Sequence, residues 1–317
     1  MNIVVLDGGV VNPGDLSWDP IAKNGSLKVY EHTSDAELVE RSKDADVLLT
    51  NKRVIDGAIM ESLPNLKLIC LLATGYDNVD VAAAKKLGVT VCNAVGYGST
   101  AVAQHVFALI LASTNLVGEH NINIHKGEWS DKGVWSYWQK PLIELAGKKI
   151  GIYGFGKIGN KVADIAMGFD MKVLSTHKHP TRDARNGVRF VDIKILCSES
   201  DFITLHAPIT NENKGIINKD LLSLMKPSAF LVNTGRGGLI NEADLREALE
   251  NNQIRGAGLD VLSKEPPPEN HPLIGMINCI ITPHNAWAAK NSRIRLLDIV
   301  GENIKAFING KPENVVI

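Results

Sequence analysis

The stretch that most constrains this chain is Lys-Lys-Ile-Gly-Ile-Tyr-Gly-Phe-Gly-Lys-Ile-Gly over 148–159. Ile150 and Ile152 favour a buried parallel strand. Gly154, Gly156 and Gly159 then form a G-x-G-x-x-G turn into a helix whose apolar residues include Val162, Ile165 and Ala166. Gly154 permits the tight turn, Gly156 removes the side chain that would keep an anion off the backbone, and Gly159 lets the helix close on its strand. A diphosphate can then rest on the positive helix N-terminus. Gly154, Phe155, Gly156, Lys157, Ile158 and Gly159 are therefore the expected phosphate cradle of a dinucleotide site. The bland alternative is a glycine-rich turn without a ligand; a strand before, a helix after and another strand at 171–176 weigh against it.

At 317 residues the chain exceeds one typical domain, and two are expected. Its hydrophobic share of 44% is enough for sizeable cores, while a net charge of -1 gives no reason to expect nucleic acid or an anionic membrane as partner. Cys70, Cys92, Cys197 and Cys279 form no C-x-x-C pair and read as buried thiols in a reducing compartment. The first residues lack a basic leader, and no apolar run approaches the roughly 20 residues of a membrane span. A cytoplasmic location is expected.

The alternation of short apolar runs with helical patterns predicts an α/β fold of two doubly wound parallel sheets. The smaller, flavodoxin-like substrate domain is expected over 1–99 and 287–317, and the Rossmann dinucleotide-binding domain over 100–286. Strands are predicted at 3–6, 27–30, 47–49 and 68–71, with helices at 35–41 and 81–87; Asp80 caps the latter and Gly88 stops it. A long helix follows over about 101–125, then a loop with Trp129, Trp135 and Trp138. Together they make a projecting arm over 101–147 that suits the interface of a homodimer, where aromatics are enriched; packing of the same residues within one chain is the alternative. Further strands are predicted at 149–153, 171–176, 202–206, 230–233, 256–260 and 279–282. Residues 287–309 read as one amphipathic helix that returns to the first domain and leaves a cleft between the two.

Three ionisable residues stand just beyond predicted strand ends: Arg236, Glu265 and His284. In a parallel sheet that is the side on which ligands gather. An anionic 2-keto acid needs a planar cation to grip its oxygens, which Arg supplies. It also needs a proton for the oxygen that becomes an alkoxide as hydride arrives; His284 is the natural donor, and Glu265 holds the imidazolium. Singly, each has a plain structural reading as a turn arginine, a loop glutamate and a capping histidine. His177 and His179 lack an evident third ligand, so no metal site is expected.

These residues and their surroundings resemble the D-isomer-specific 2-hydroxyacid dehydrogenases over nearly the whole chain. The blocks at 73–80 (Ala-Thr-Gly-Tyr-Asp-Asn-Val-Asp), 154–159, 233–237, 258–266 and 283–287 follow in family order. The resemblance implies that backbone amides around Thr74 and Gly75 hold the substrate carboxylate. It implies too that Arg236 binds and polarises the substrate, that His284 is the acid/base, and that Glu265 is its partner. Asp260 and Thr234 fall in nicotinamide-contacting blocks, and His206, Ala207 and Pro208 in a loop beside the cofactor. Residues 12–18 (Asn-Pro-Gly-Asp-Leu-Ser-Trp) and His-Asn-Ala-Trp at 284–287 are most similar to the glycerate dehydrogenase or hydroxypyruvate reductase group. Formate dehydrogenases typically carry Gln where Glu265 stands. A dinucleotide-sensing binding protein of the C-terminal-binding corepressor type shares these residues and remains an alternative, as does a dehydrogenase of another 2-hydroxy acid such as D-lactate.

One departure bears on the cofactor. NAD-specific relatives usually place an acid at the end of the second strand to bind the ribose hydroxyls. Here that slot holds Thr176, His177 and Lys178, with no carboxylate to repel a 2'-phosphate. The expected cofactor is NAD(P)(H), with NADP(H) tolerated or preferred.

Overall fold

The computed structural model describes residues 1–316; Ile317, the last residue of the expected 287–317 segment, lies outside the described residues. The chain forms two compact units, one of Met1–Gly98 and the stretch from Trp287 on, the other of Ser99–Ala286.

The first unit is built on β1 (Asn2–Val5), β2 (Ser26–Val29), β3 (Val47–Thr50), β4 (Leu68–Leu71) and β5 (Thr90–Cys92). All pair in parallel, in the order β2-β1-β3-β4-β5. This is the flavodoxin-like order, with its switch point between β1 and β3. Every residue of β3 and β4 is buried, as central parallel strands covered on both faces require. Ile3, Val5, Val47, Leu49 and Leu68 meet Leu296, Leu297, Val300 and Ile304 of the Lys290–Ile308 helix. Val4, Leu48 and Ile69, one residue out of step, face the opposite core with Leu38, Met60 and Ala84. The expected 287–309 helix thus starts three residues later, at Lys290. Asp80 caps the Val81–Leu87 helix through the N–H of Ala83, and Gly88 ends it at φ 72°.

The second unit carries β6 (Lys149–Tyr153), β7 (Lys172–Thr176), β8 (Val188–Phe190), β9 (Phe202–Leu205), β10 (Phe230–Asn233), β11 (Gly256–Leu259) and β12 (Cys279–Ile281). All are parallel, in the order β12-β11-β10-β9-β6-β7-β8. Crossovers leave β6 toward both edges, so the switch point falls between β6 and β9. The glycine turn follows β6 directly.

The helix expected over about 101–125 is two. Ser99–Asn115 ends where Leu116 takes a left-handed backbone (φ 52°), and Val117–His125 leaves at 54° to it. The first piece does not project: Ala103, Val106, Phe107, Leu109 and Ile110 pack in one core with Val162, Ala163 and Ala166 beneath the glycine turn. Val117–His125 buries no residue. No single helix among the described residues is long and apolar enough to cross a membrane. Cys70, Cys92 and Cys197 are buried as expected, whereas Cys279 on edge strand β12 is only half-buried.

Candidate active site

Beyond β6, a Cβ on Gly154 would stand 2.6 Å from the Ala207 nitrogen, and one on Gly159 would stand 2.3 Å from the Gly154 carbonyl oxygen. Both approaches are closer than any side chain permits, so these glycines let the turn lie against the 206–208 loop and the helix against the turn. Gly156 differs. A Cβ there would meet nothing within 4 Å, and its backbone is an ordinary extended one. Gly156 and Lys157 are exposed at the start of the Lys157–Gly168 helix, whose first-turn N–H groups have no partner within the helix. An anion is the partner such a helix end takes.

Two further groups fit a dinucleotide here. The Thr234 hydroxyl, just past β10, is buried with no hydrogen bond. His206, just past β9, shares a 2.8 Å hydrogen bond between Nε2 and the Thr204 hydroxyl, while its buried Nδ1 has no partner. Burial pushes this ring down to about 3, so it is neutral near pH 7. Phe155 faces away: its ring is buried edge-on to Phe190, and its N–H donates to His177 Nδ1 at 3.1 Å. Thr176 spends its hydroxyl proton on the Val191 carbonyl (2.8 Å).

The slot at the end of β7 itself holds no carboxylate, but one reaches it from farther along the chain. Asp183, seven residues beyond Thr176, returns so that its Oδ2 lies 2.7 Å from His177 Nε2, and Arg182 binds both of its oxygens. The hydrogen bonds from Arg182 and His177 hold the Asp183 carboxyl down, to about 2. His177 is thus fixed between the glycine turn and an acid, its Nδ1 accepting from the Phe155 N–H and its Nε2 facing the Asp183 carboxylate.

Arg236, Glu265 and His284 follow β10, β11 and β12, three adjacent strands at one edge of the sheet. Buried Asn233 shapes the arginine turn, accepting from the Gly235 N–H (3.0 Å) and donating to the Arg236 carbonyl (2.9 Å). A Cβ on Gly237 would stand 1.9 Å from the Leu262 carbonyl carbon, so only glycine lets this turn press on the loop that carries Glu265. That loop is held from within by Leu262 N–H to Glu265 Oε1 (3.0 Å) and from outside by Glu242, which accepts from the Ser263 N–H at 2.7 Å and from its hydroxyl. Glu265 Oε2 lies 2.5 Å from His284 Nδ1. This contact leaves Nε2 as the nitrogen for proton transfer.

His284 has a left-handed backbone (φ 51°), unusual for a residue with a Cβ. Asp260 holds it there. Its carbonyl accepts the His284 N–H at 2.8 Å, and its carboxylate accepts the N–H groups of Asn285 (3.0 Å) and Ala286 (2.9 Å) and the Thr282 hydroxyl (2.6 Å). The Asp260 side chain is enclosed, and its carboxylate is turned toward the His284 loop. Sequence reasoning missed Thr282, Asn233, Gly237, Glu242 and Asp183. Asn233 and Gly237 lay inside the quoted 233–237 block and Thr282 two residues before His284, so these three were within reach of a motif.

In the first unit, Thr74 and Gly75 lie beyond the end of β4. The Thr74 hydroxyl donates to the Ala94 carbonyl (2.6 Å), and Asn93 Nδ2 donates to the Thr74 carbonyl (2.7 Å). What this turn can offer an anion is therefore its backbone N–H groups.

A profile of the family "D-isomer specific 2-hydroxyacid dehydrogenase, NAD binding domain" matches residues 107–286. The chain is 44% identical to a hydroxypyruvate reductase of Blautia hydrogenotrophica over 100% of its own length and 99% of the relative's. It is 39% identical to a glycerate dehydrogenase of Methylorubrum extorquens over 91% of each chain. Among solved structures it is similar to an acyclic imino acid reductase in complex with NADPH and D-Arg, at a TM-score of 0.87 and 34% identity over 100% of both chains. An NAD-dependent formate dehydrogenase of Staphylococcus aureus in complex with NAD is similar at a TM-score of 0.83 and 27% identity, over 100% of this chain and 99% of that one.

Proposed function

This chain belongs to the D-isomer specific 2-hydroxyacid dehydrogenase family, and we propose that within it the protein reduces hydroxypyruvate to D-glycerate, and glyoxylate to glycolate, with NAD(P)H. The observation that carries the reading is the 2.5 Å contact of Glu265 with His284, on strand ends next to that of Arg236.

The first-turn N–H groups of the Lys157–Gly168 helix hold the diphosphate of the dinucleotide, with the Thr234 hydroxyl and the His206 loop beside it. A bound nicotinamide would supply the hydride that the carbonyl carbon takes up. Arg236 grips the carboxylate and the carbonyl oxygen of the keto acid, drawing electron density onto that oxygen. His284, protonated and held at Nδ1 by Glu265, gives its Nε2 proton to the oxygen as the alkoxide forms. One keto acid, one reduced dinucleotide and one proton give one hydroxy acid and the oxidised dinucleotide.

A homodimer through the arm is part of the same proposal. Trp135 is 94% exposed and Trp138 64%, with Val117, Ile122 and Ile124 also exposed on the preceding helix. Aromatic and aliphatic groups of this kind stay in water at a cost that a second copy removes.

The test of function is a panel of 2-keto acids, with hydroxypyruvate, glyoxylate and pyruvate among them, assayed with NADH and with NADPH. The highest kcat/KM is expected for hydroxypyruvate. Turnover of none of them would end the enzymatic reading, and a preference for pyruvate would move it to a lactate dehydrogenase.

A further inference from the structure

The Ser99–Asn115 helix buries Val102, Val106 and Leu109, yet within that turn it carries an ionisable side chain, His105, whose Nε2 lies 3.0 Å from the Thr282 hydroxyl and 3.6 Å from Asp260 Oδ1. The hydroxyl proton of Thr282 is directed to Asp260 Oδ1 at 2.6 Å, so the bond from His105 is Nε2–H donating to the Thr282 oxygen. The same Oδ1 accepts the N–H of Asn285, and Oδ2 that of Ala286. Three side chains in line, His105, Thr282 and Asp260, thus join a core helix to the two residues that follow His284. That line ties down the two peptide groups after His284, whose left-handed backbone is the less favoured one for a residue with a Cβ.

We infer that His105 is a positioning residue for His284: through Thr282 it fixes the rotamer and hydrogen bonding of the Asp260 carboxylate, and through Asp260 the left-handed turn that aims the His284 ring at Glu265. The inference rests on the proposed acid/base role of His284. His105 acts through Thr282 and takes no part in the proton transfer. Its action is geometric. A desolvated carboxylate with an added donor keeps one orientation, and a turn that depends on that carboxylate keeps one backbone conformation.

The experiment compares wild type, His105→Leu, His105→Gln, Thr282→Val and the double variant His105→Leu/Thr282→Val. Each is read by kcat and KM with hydroxypyruvate, by the dissociation constant of NADH, by thermal unfolding and by the proton resonance of the His284–Glu265 hydrogen bond. Misplacement of an acid by a fraction of its bond length costs about 10- to 100-fold in rate. His105→Leu is expected to lower kcat by about that factor, with NADH binding and KM within about twofold, and to shift or broaden the resonance. His105→Gln, whose amide can still donate to Thr282, is expected to recover most of both. The double variant should be no slower than the slower single one, as for residues acting in one line.

Wild-type kcat and an unchanged resonance in His105→Leu would overturn the inference, as would losses that multiply in the double variant. If wild type reduced no keto acid, the functional reading would fall while the resonance still decided the brace. Should His105→Leu not fold, His105→Asn, too short to reach Thr282, replaces it with the same expected outcomes.

Discussion

Glu265 Oε2 and His284 Nδ1 lie 2.5 Å apart, on loops beyond two neighbouring parallel strands and 19 residues apart in the chain. The contact fixes which imidazole nitrogen faces the carboxylate and therefore which one is left to donate. His284→Gln should lower kcat by about 10³-fold or more, within the range assigned to general acids, with the NADH dissociation constant nearly unchanged. Glu265→Gln should cost less, about 10- to 100-fold, because the amide keeps the ring oriented while no longer stabilising its charge. Steady-state kinetics beside a fluorescence titration of NADH test both; near-normal turnover in His284→Gln would remove it from the chemistry.

Gly156 and Gly159 separate folding from binding. A Cβ on Gly156 meets no protein atom within 4 Å, whereas one on Gly159 stands 2.3 Å from the Gly154 carbonyl. Gly156→Val should leave the unfolding midpoint within about 2 °C of wild type and weaken NADH binding by at least about tenfold, since the side chain takes the diphosphate's approach to the backbone. Gly159→Val should lower stability by about 2 kcal/mol or more, by forcing the helix off its strand. Thermal unfolding with and without NADH distinguishes the two, and equal losses of stability would contradict the account.

Asp183 sets the charge of the pocket after β7. Held by Arg182 and His177 at a pKa of about 2, it is ionised near neutral pH. Asp183→Asn removes the negative charge opposite a 2'-phosphate and leaves His177, Lys178 and Arg182 in place. The ratio of kcat/KM for NADPH over NADH should rise by about fivefold or more. An unchanged ratio would show that the acid lies too far from the adenosine ribose to matter.

His206 predicts a pH dependence of stability. Its folded value near 3 lies below the ordinary 6.5. As pH falls below 6.5 the unfolded chain takes a proton that the folded chain refuses until about pH 3, so stability is full above 6.5 and is lost across that window. The slope for one group is at most about 1.4 kcal/mol per pH unit. Urea midpoints between pH 4 and 7 should therefore fall less steeply for His206→Gln than for wild type, and parallel curves would refute the assignment.

Much of this was legible beforehand because it follows from local rules. Ile150, Ile152 and three glycines specify a strand, a turn and a helix within 12 residues, where short-range sterics decide. Arg236, Glu265 and His284 were legible because each stands just past an apolar run, and parallel sheets gather strand ends on one side. Leu116 was not: nothing in its neighbourhood demands a left-handed break, and the helix bends there where its apolar face leaves the core.

By itself, then, the sequence determined the two parallel α/β units, the dinucleotide turn and the identity of the three polar residues, since each depends on residues close in the chain. Only the tertiary structure decided how those residues are held. Asp183 reaches His177 across a loop, Gly237 presses on Leu262, and His105 meets Thr282 from 177 positions away. The reason is physical: a strand or a turn is fixed by backbone sterics within a few residues, but a hydrogen bond between side chains from distant segments exists only once packing has brought both ends to within about 3 Å.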